Sequence, residues 1–164
     1  MLFRMTRVIL YSEVVPIKKI KVYFDNCCYN RPFDDQSQIR ISLETIAKIF
    51  TQKLIVDKKI DMIWSYILFA ENHDNPFSQR RETISDFSKN AIDTIVENDE
   101  ILKKSEEIRA TGIKEKDSLH IACALYANCD YFITTDDRLL KYKCPDMNII
   151  NPVDFIKIWE GNKK

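Results

Sequence analysis

A chain of 164 residues fits one domain, and a hydrophobic content of 45% is ample for one buried core. Two glycines and five prolines are too few for a fibrous or disordered protein. Lys+Arg and Asp+Glu both count 25, a neutral balance that excludes a broadly basic, histone-like nucleic-acid binder and leaves only local charge patches.

The first such patch is at the N-terminus. Residues 1–20 read as a basic arm, with Arg4, Arg7, Lys18 and Lys19 against Glu13 alone. Such an arm suits phosphate contact, and equally a solvated lead-in or a docking strand. Its apolar stretch, Val8–Tyr11, is too short and broken for a signal peptide, and no run approaches the ~20 residues of a membrane span. A cytoplasmic protein without membrane contact is expected.

Lys21–Asp25 (K-V-Y-F-D) reads as a short buried strand that ends on a carboxylate. Asn26–Asp35 follows as a loop, and Ser37 is a candidate helix cap. Ile39, Leu43, Ile46, Ala47, Phe50 and Leu54 then share one helical face, while Arg40, Glu44 and Lys48 stack at i, i+4 on another and predict a surface ion ladder. Ile60–Ser65 is a second strand that runs straight into a helix from Tyr66, broken at Pro76–Phe77. Ser78–Asn90 and Asp99–Arg109 are charge-rich outer helices. Thr111–Gly112 closes that stretch, and Lys114–Asp117 opens an almost wholly apolar helix, Ser118–Ala127, expected to be buried on most sides. Tyr131–Thr135 is a third strand and Met147–Ile150 a fourth. Pro152 stands where a last helix, Val153–Trp159, begins. Strands separated by helices predict a parallel sheet covered on both faces, with ligands bound beyond the C-terminal strand ends.

That rule gathers the carboxylates. Asp25 ends strand one, Asp136 follows strand three, Glu71 lies about one and a half turns into the helix after strand two, and Asp117 opens the apolar helix. Four carboxylates at one sheet edge repel unless they take up protons or a cation. Oxygen ligands without a His or Cys cluster favour Mg²⁺ or Mn²⁺, and such sites suit phosphodiester hydrolysis. Asp137 competes with Asp136 for one role, the other being a helix cap, and Glu44 is the rival of Glu71. Asn26 and Thr134 are supporting polar residues that can orient water or a ligand carboxylate. His120 reads as a satisfied core histidine and His73 as a surface residue. Arg31 and Arg138 border the site and receive no role. Five cysteines, two of them adjacent and none in a C-x-x-C pair, suit neither a disulfide framework nor a zinc ribbon and predict reduced thiols.

At K-V-Y-F-D-N (21–26), W-S-Y-I-L-F-A-E (64–71), K-D-S-L-H-I-A-C-A-L (116–125) and D-Y-F-I-T-T-D (130–136) the chain resembles a PIN domain, the fold of VapC-type toxin ribonucleases. The resemblance covers roughly residues 21–160. It implies a three-layer α/β/α sandwich around a parallel sheet, Mg²⁺- or Mn²⁺-dependent cleavage of single-stranded RNA, a small antitoxin partner and, since these domains commonly pair, a homodimer. It carries the family's acidic residues onto Asp25, Glu71, Asp117 and Asp136, with Thr134 in the T-x-D position. The loop after Asp25, the N-terminal arm and the long stretch between Glu71 and Asp117 depart from the family pattern. A catalytically silent RNA- or protein-binding module is the alternative. A phosphatase of the haloacid-dehalogenase type lacks its D-x-D, the sequence here being Asp25-Asn26-Cys27.

Overall fold

The computed structural model describes residues 18–162, so most of the basic arm lies outside the described residues. Five strands form one parallel sheet: β1 (Lys21–Phe24), β2 (Asp61–Ser65), β3 (Asp93–Ile95), β4 (Tyr131–Ile133) and β5 (Asn148–Ile150), in the order β3-β2-β1-β4-β5. The chain leaves the central β1 for β2 and β3 on one side, then crosses to β4 and β5 on the other. The strand order therefore reverses between β1 and β4, where open α/β sheets form their crevice. In register, Tyr23 pairs with Phe132 and Phe24 with Ile133, so the C-terminal ends of the two strands emerge side by side.

Helices α1 (Asn26–Asn30) and α2 (Ile39–Val56) link β1 to β2, with a 3-10 turn at Arg31–Phe33 between them. Helices α3 (Tyr66–His73) and α4 (Ser78–Ser88) link β2 to β3; α5 (Asp99–Arg109) and α6 (Glu115–Tyr126) link β3 to β4. A short α7 (Asp137–Leu140) precedes β5, and α8 (Pro152–Gly161) ends the fold. Helix α2 packs on α8, whereas α3, α4, α5 and α6 pack among themselves, giving the outer layers of an α/β/α sandwich. Strand alternation serves both. Tyr23 stacks on Phe132 at 5.5 Å and meets His120 of α6, while Tyr131, on the opposite face, meets Phe155 of α8. No helix among the described residues is long and apolar enough to cross a membrane. All five cysteines are free, and Cys28, Cys123 and Cys129 are buried.

Several expectations are corrected. The sheet has five strands rather than four. The extra β3 is three residues long with two exposed, too short for a period-2 pattern to register. The stretch after Asp25 is not a loop: it holds α1 and the 3-10 turn. Ser37 does not cap α2, because its hydroxyl donates to Asp35 at 2.7 Å and Gln38 occupies the cap position without a side-chain bond.

The orientation of α2 is the largest correction. Much of the apolar stripe faces outward, with Ile39 79%, Leu43 52% and Ile46 62% exposed, although its Ala47 and Leu54 are buried; of the supposed surface ladder, Arg40 is exposed but Glu44 (1%) and Lys48 (5%) face the protein. Specific partners account for this. Glu44 Oε1 accepts from Arg40 Nε and from Asn151 Nδ2, each at 2.8 Å, and its Oε2 lies 2.8 Å from Arg31 as an ion pair without an aligned hydrogen bond. Lys48 lies over the Tyr29 ring, 5.7 Å from its centroid, and burial lowers its pKa to about 8. Charged residues become interior residues when ion pairs and ring faces meet them there. Breaking a buried pair strands the remaining charges, so Glu44→Ala is expected to cost about 3 kcal/mol in urea unfolding. Ile46→Ser, on the exposed stripe, is expected to change stability by about 0.5 kcal/mol or less. The reverse ranking would mean that the apolar stripe, not the charged one, packs inward.

Candidate functional site

Asp25 is the first residue beyond β1, and its amide donates to the Ile133 carbonyl of β4 at 2.9 Å, which pins it at the crevice. The carboxylate is only 6% exposed. Thr134 Oγ1 donates to its Oδ2 at 2.7 Å, and the Cys27 thiol points at the same oxygen from 3.2 Å. Thr134 Oγ1 in turn accepts the Asp136 amide at 3.1 Å, so one hydroxyl ties the end of β1 to the segment after β4. Burial pushes the Asp25 carboxyl well above the usual carboxylate range, further raised by Cys27 and opposed by His120 and Thr134. Among the described residues no Lys or Arg pairs with it.

Glu71 reaches the same region because Ser65 ends β2 and caps α3, its hydroxyl accepting from Leu68 N at 3.3 Å. One carboxylate oxygen of Glu71, Oε2, meets His120 Nε2 at 2.6 Å. Asp117 is the third residue of α6, in the first turn, where an anion is favoured by the helix dipole. Its carboxyl is nonetheless raised, first by desolvation and then by the charge of Asp136; His120, Arg138 and Lys114 oppose this.

Of the two neighbours, Asp136 takes the helix-cap role that the sequence left open between them. It is the N-cap of α7, accepting from Arg138 N at 2.8 Å, and it is clamped by the Arg138 guanidinium at 2.6 Å through Oδ2 and 3.2 Å through Oδ1. Those bonds hold its carboxyl below the usual range. Asp137 turns away to Arg40, at 2.7 and 2.9 Å.

The structure thus brings Asp25, Thr134 and Asp136 into one hydrogen-bonded unit, sets Asp117 within the electrostatic reach of Asp136, and joins Glu71 to His120. Glu44 is occupied by Arg31, Arg40 and Asn151, and Asn26 Oδ1 accepts from Asn30 at 3.3 Å rather than meeting Asp25. Three neighbours went unassigned in the sequence. Cys27 is brought back by α1 starting immediately after Asp25. Arg138 lies two residues past Asp136. His120, one turn after Asp117, carried the only advance signal, its i, i+3 spacing from an acid on a buried helix.

For a divalent cation the donor set is chemically suitable: hard oxygens, two of the carboxyls held above their ordinary range chiefly by burial. Among the described residues no three His, Cys, Asp or Glu side chains already converge closely enough to hold an ion. Arg138 meanwhile occupies the two oxygens of Asp136.

The raised carboxyl of Asp117 has a consequence for stability. A carboxyl whose folded pKa exceeds its unfolded value carries no penalty below the unfolded pKa, about 4. It carries the full penalty above the folded one. Asp117→Asn is therefore expected to raise the melting temperature at pH 7 in metal-free buffer, with the gain vanishing as pH falls through about 4. A lower melting temperature at pH 7 would show that Asp117 is held by favourable contacts instead.

The PIN domain family model matches residues 23–143, from the second half of β1 through β4 with all four carboxylates, and leaves β5 and α8 beyond it. No curated protein matches the chain with significant similarity. Among solved structures, the chain is similar to the crystal structure of VapBC2 from Rickettsia felis bound to a DNA fragment from their promoter. The two share 14% identity at a TM-score of 0.55, over 80% of this chain and 98% of that one, a likeness of fold.

Proposed function

The chain belongs to the PIN domain family, and from that premise we propose that it is a Mg²⁺- or Mn²⁺-dependent endoribonuclease of single-stranded RNA, the toxin half of a toxin–antitoxin pair. One observation carries the reading. Asp25 is a buried carboxylate at the switch point of a parallel sheet, with three further acids around the crevice and no cationic side chain of its own. A structural acid in that position ordinarily has an arginine or lysine beside it. Glu44, in the same protein, has two arginines.

In this reading Asp25, Glu71, Asp117 and Asp136 hold the cation, which when bound supplies positive charge for the attacked phosphate and lowers the pKa of water. Thr134 keeps the Asp25 carboxylate facing the crevice, and its oxygen fixes the start of the Asp136 segment. Arg138, once released from Asp136, is a guanidinium at the rim available to a substrate phosphate. Residues 21–160 act as the nuclease unit, in the cytoplasm. A small partner protein is supported by Ile39, Leu43 and Ile46, large apolar side chains that stand exposed along α2.

A second reading, a silent RNA- or protein-binding module, is favoured by the Arg138–Asp136 clamp, which neutralises one acid internally. Cleavage of a mixed single-stranded RNA pool separates the two. We expect cuts with Mn²⁺ or Mg²⁺, none with EDTA, and a loss of about a hundredfold or more in Asp25→Asn, the scale of removing a principal charge-stabilising group. RNA retained on the protein but never cut, with either metal, would establish the silent module.

A further inference from the structure

Behind Glu71 lies a hydrogen-bonded chain that the metal-site reading does not use. His120 is 1% exposed and both its ring nitrogens are engaged: Nε2 with Glu71 Oε2 at 2.6 Å and Nδ1 with the Tyr23 hydroxyl at 2.7 Å. Tyr23 is itself fully buried in β1, and its hydroxyl lies 2.6 Å from Ser65 Oγ at the end of β2. Ser65 Oγ accepts from Leu68 N. Four elements, β1, β2, α3 and α6, thereby meet in one line of polar atoms inside an otherwise apolar core.

One direction is set by what the end of the line can do: a carboxylate only accepts, so Nε2 carries the hydrogen that meets Glu71. Nδ1 shares a hydrogen with the Tyr23 hydroxyl, and that hydroxyl shares one with Ser65 Oγ, so every polar atom in the line has a partner. Burial holds the Tyr23 phenol well above its ordinary pKa, so it stays a donor. Among the described residues Glu71 Oε1 has no hydrogen-bond donor, while Oε2 is taken by the imidazole.

We propose that His120, oriented by Tyr23 and Ser65, is the positioning residue of Glu71: it fixes one carboxylate oxygen and presents the other, Oε1, to the cation. This rests on the metal-site reading of Glu71. Ordered partners of this kind set the direction and basicity of ligands they touch, and their loss ordinarily lowers metal affinity ten- to a hundredfold. The chain begins at the N-cap of α3, so the residue that starts the helix carrying Glu71 also anchors the line that aims it.

Two measurements test this. Ring-nitrogen NMR of the wild-type protein without metal is expected to show a hydrogen on Nε2 of His120; a bare Nε2 would overturn the contact with Glu71 on which the positioning role depends. Mn²⁺ titration is then run on wild type, Asp25→Asn, Glu71→Gln, Tyr23→Phe and the Tyr23→Phe/Glu71→Gln double variant. We expect Tyr23→Phe alone to weaken Mn²⁺ binding about tenfold and to change nothing in the Glu71→Gln background. Equal losses in both backgrounds would mean that Tyr23 acts through packing and would overturn the positioning role. If wild type and Asp25→Asn bind Mn²⁺ alike, the metal reading of the site fails, and the position of the ring proton alone decides whether the line exists.

Discussion

Everything at the crevice depends on one buried carboxylate without a counter-charge. An isolated anion in the interior is costly enough that it normally acquires a proton, a partner or a metal. Asp25 stands at the end of the central strand, where its amide is fixed by the Ile133 carbonyl of β4 and its carboxylate is held by the Thr134 hydroxyl. Among the described residues its close partners are the Thr134 hydroxyl and the Cys27 sulfur, neither of them a cation. The sheet thus holds the carboxylate in place while offering it no positive charge. The raised carboxyl of Asp117 repeats the pattern more weakly, because it is less buried and has Arg138 and Lys114 nearby.

The same chain shows the opposite solution a short distance along the sequence. Glu44 is as buried as Asp25, yet two arginines and an asparagine surround it and tie α2 to the 3-10 turn and to the start of α8. One acid is spent on holding helices together and the other is left electrostatically open. The contrast separates a structural carboxylate from a candidate ligand better than burial does, and it argues for Glu71 over Glu44 as the second acid.

How far the sequence could be read follows from the range of the forces involved. The strand-to-acid junctions at Asp25 and T-x-D were legible because strand, turn and acid lie within a few residues, and parallel topology then brings distant strand ends together. The helix at Asp99–Arg109 was legible to the residue, with Asn98 capping it and Asp99 and Glu100 in its first turn. The orientation of α2 was not. Hydrophobic periodicity assumes that the apolar stripe packs inward. Of the partners that bury Glu44, Arg40 is local at i−4, but Arg31 and Asn151 come from 13 positions before it and 107 after it, and nothing local announced those. Strand β3 was hidden for a different reason: at the sheet edge, with Asp93 and Thr94 exposed, it needs pairing to β2 more than intrinsic propensity. His120 was read correctly as a buried, satisfied histidine; what satisfies it, Glu71 and Tyr23, required three elements to meet.

The arginines at the crevice set the terms on which it can accept a cation. Arg138 donates to both oxygens of Asp136, and Arg40 holds Asp137 away while its other end grips Glu44. The two pairs differ in kind. Arg40 bridges two acids on separate elements, so freeing Asp137 would cost the anchoring of α2 as well. Arg138 is 60% exposed and only two residues from Asp136, so its pairing is local and lies in water, where such contacts are worth about 1 kcal/mol or less. Of the two adjacent aspartates, Asp136 is therefore the one whose arginine pairing is the weaker, although its Oδ1 also caps α7, whereas the pairing of Asp137 is bound up with the anchoring of α2.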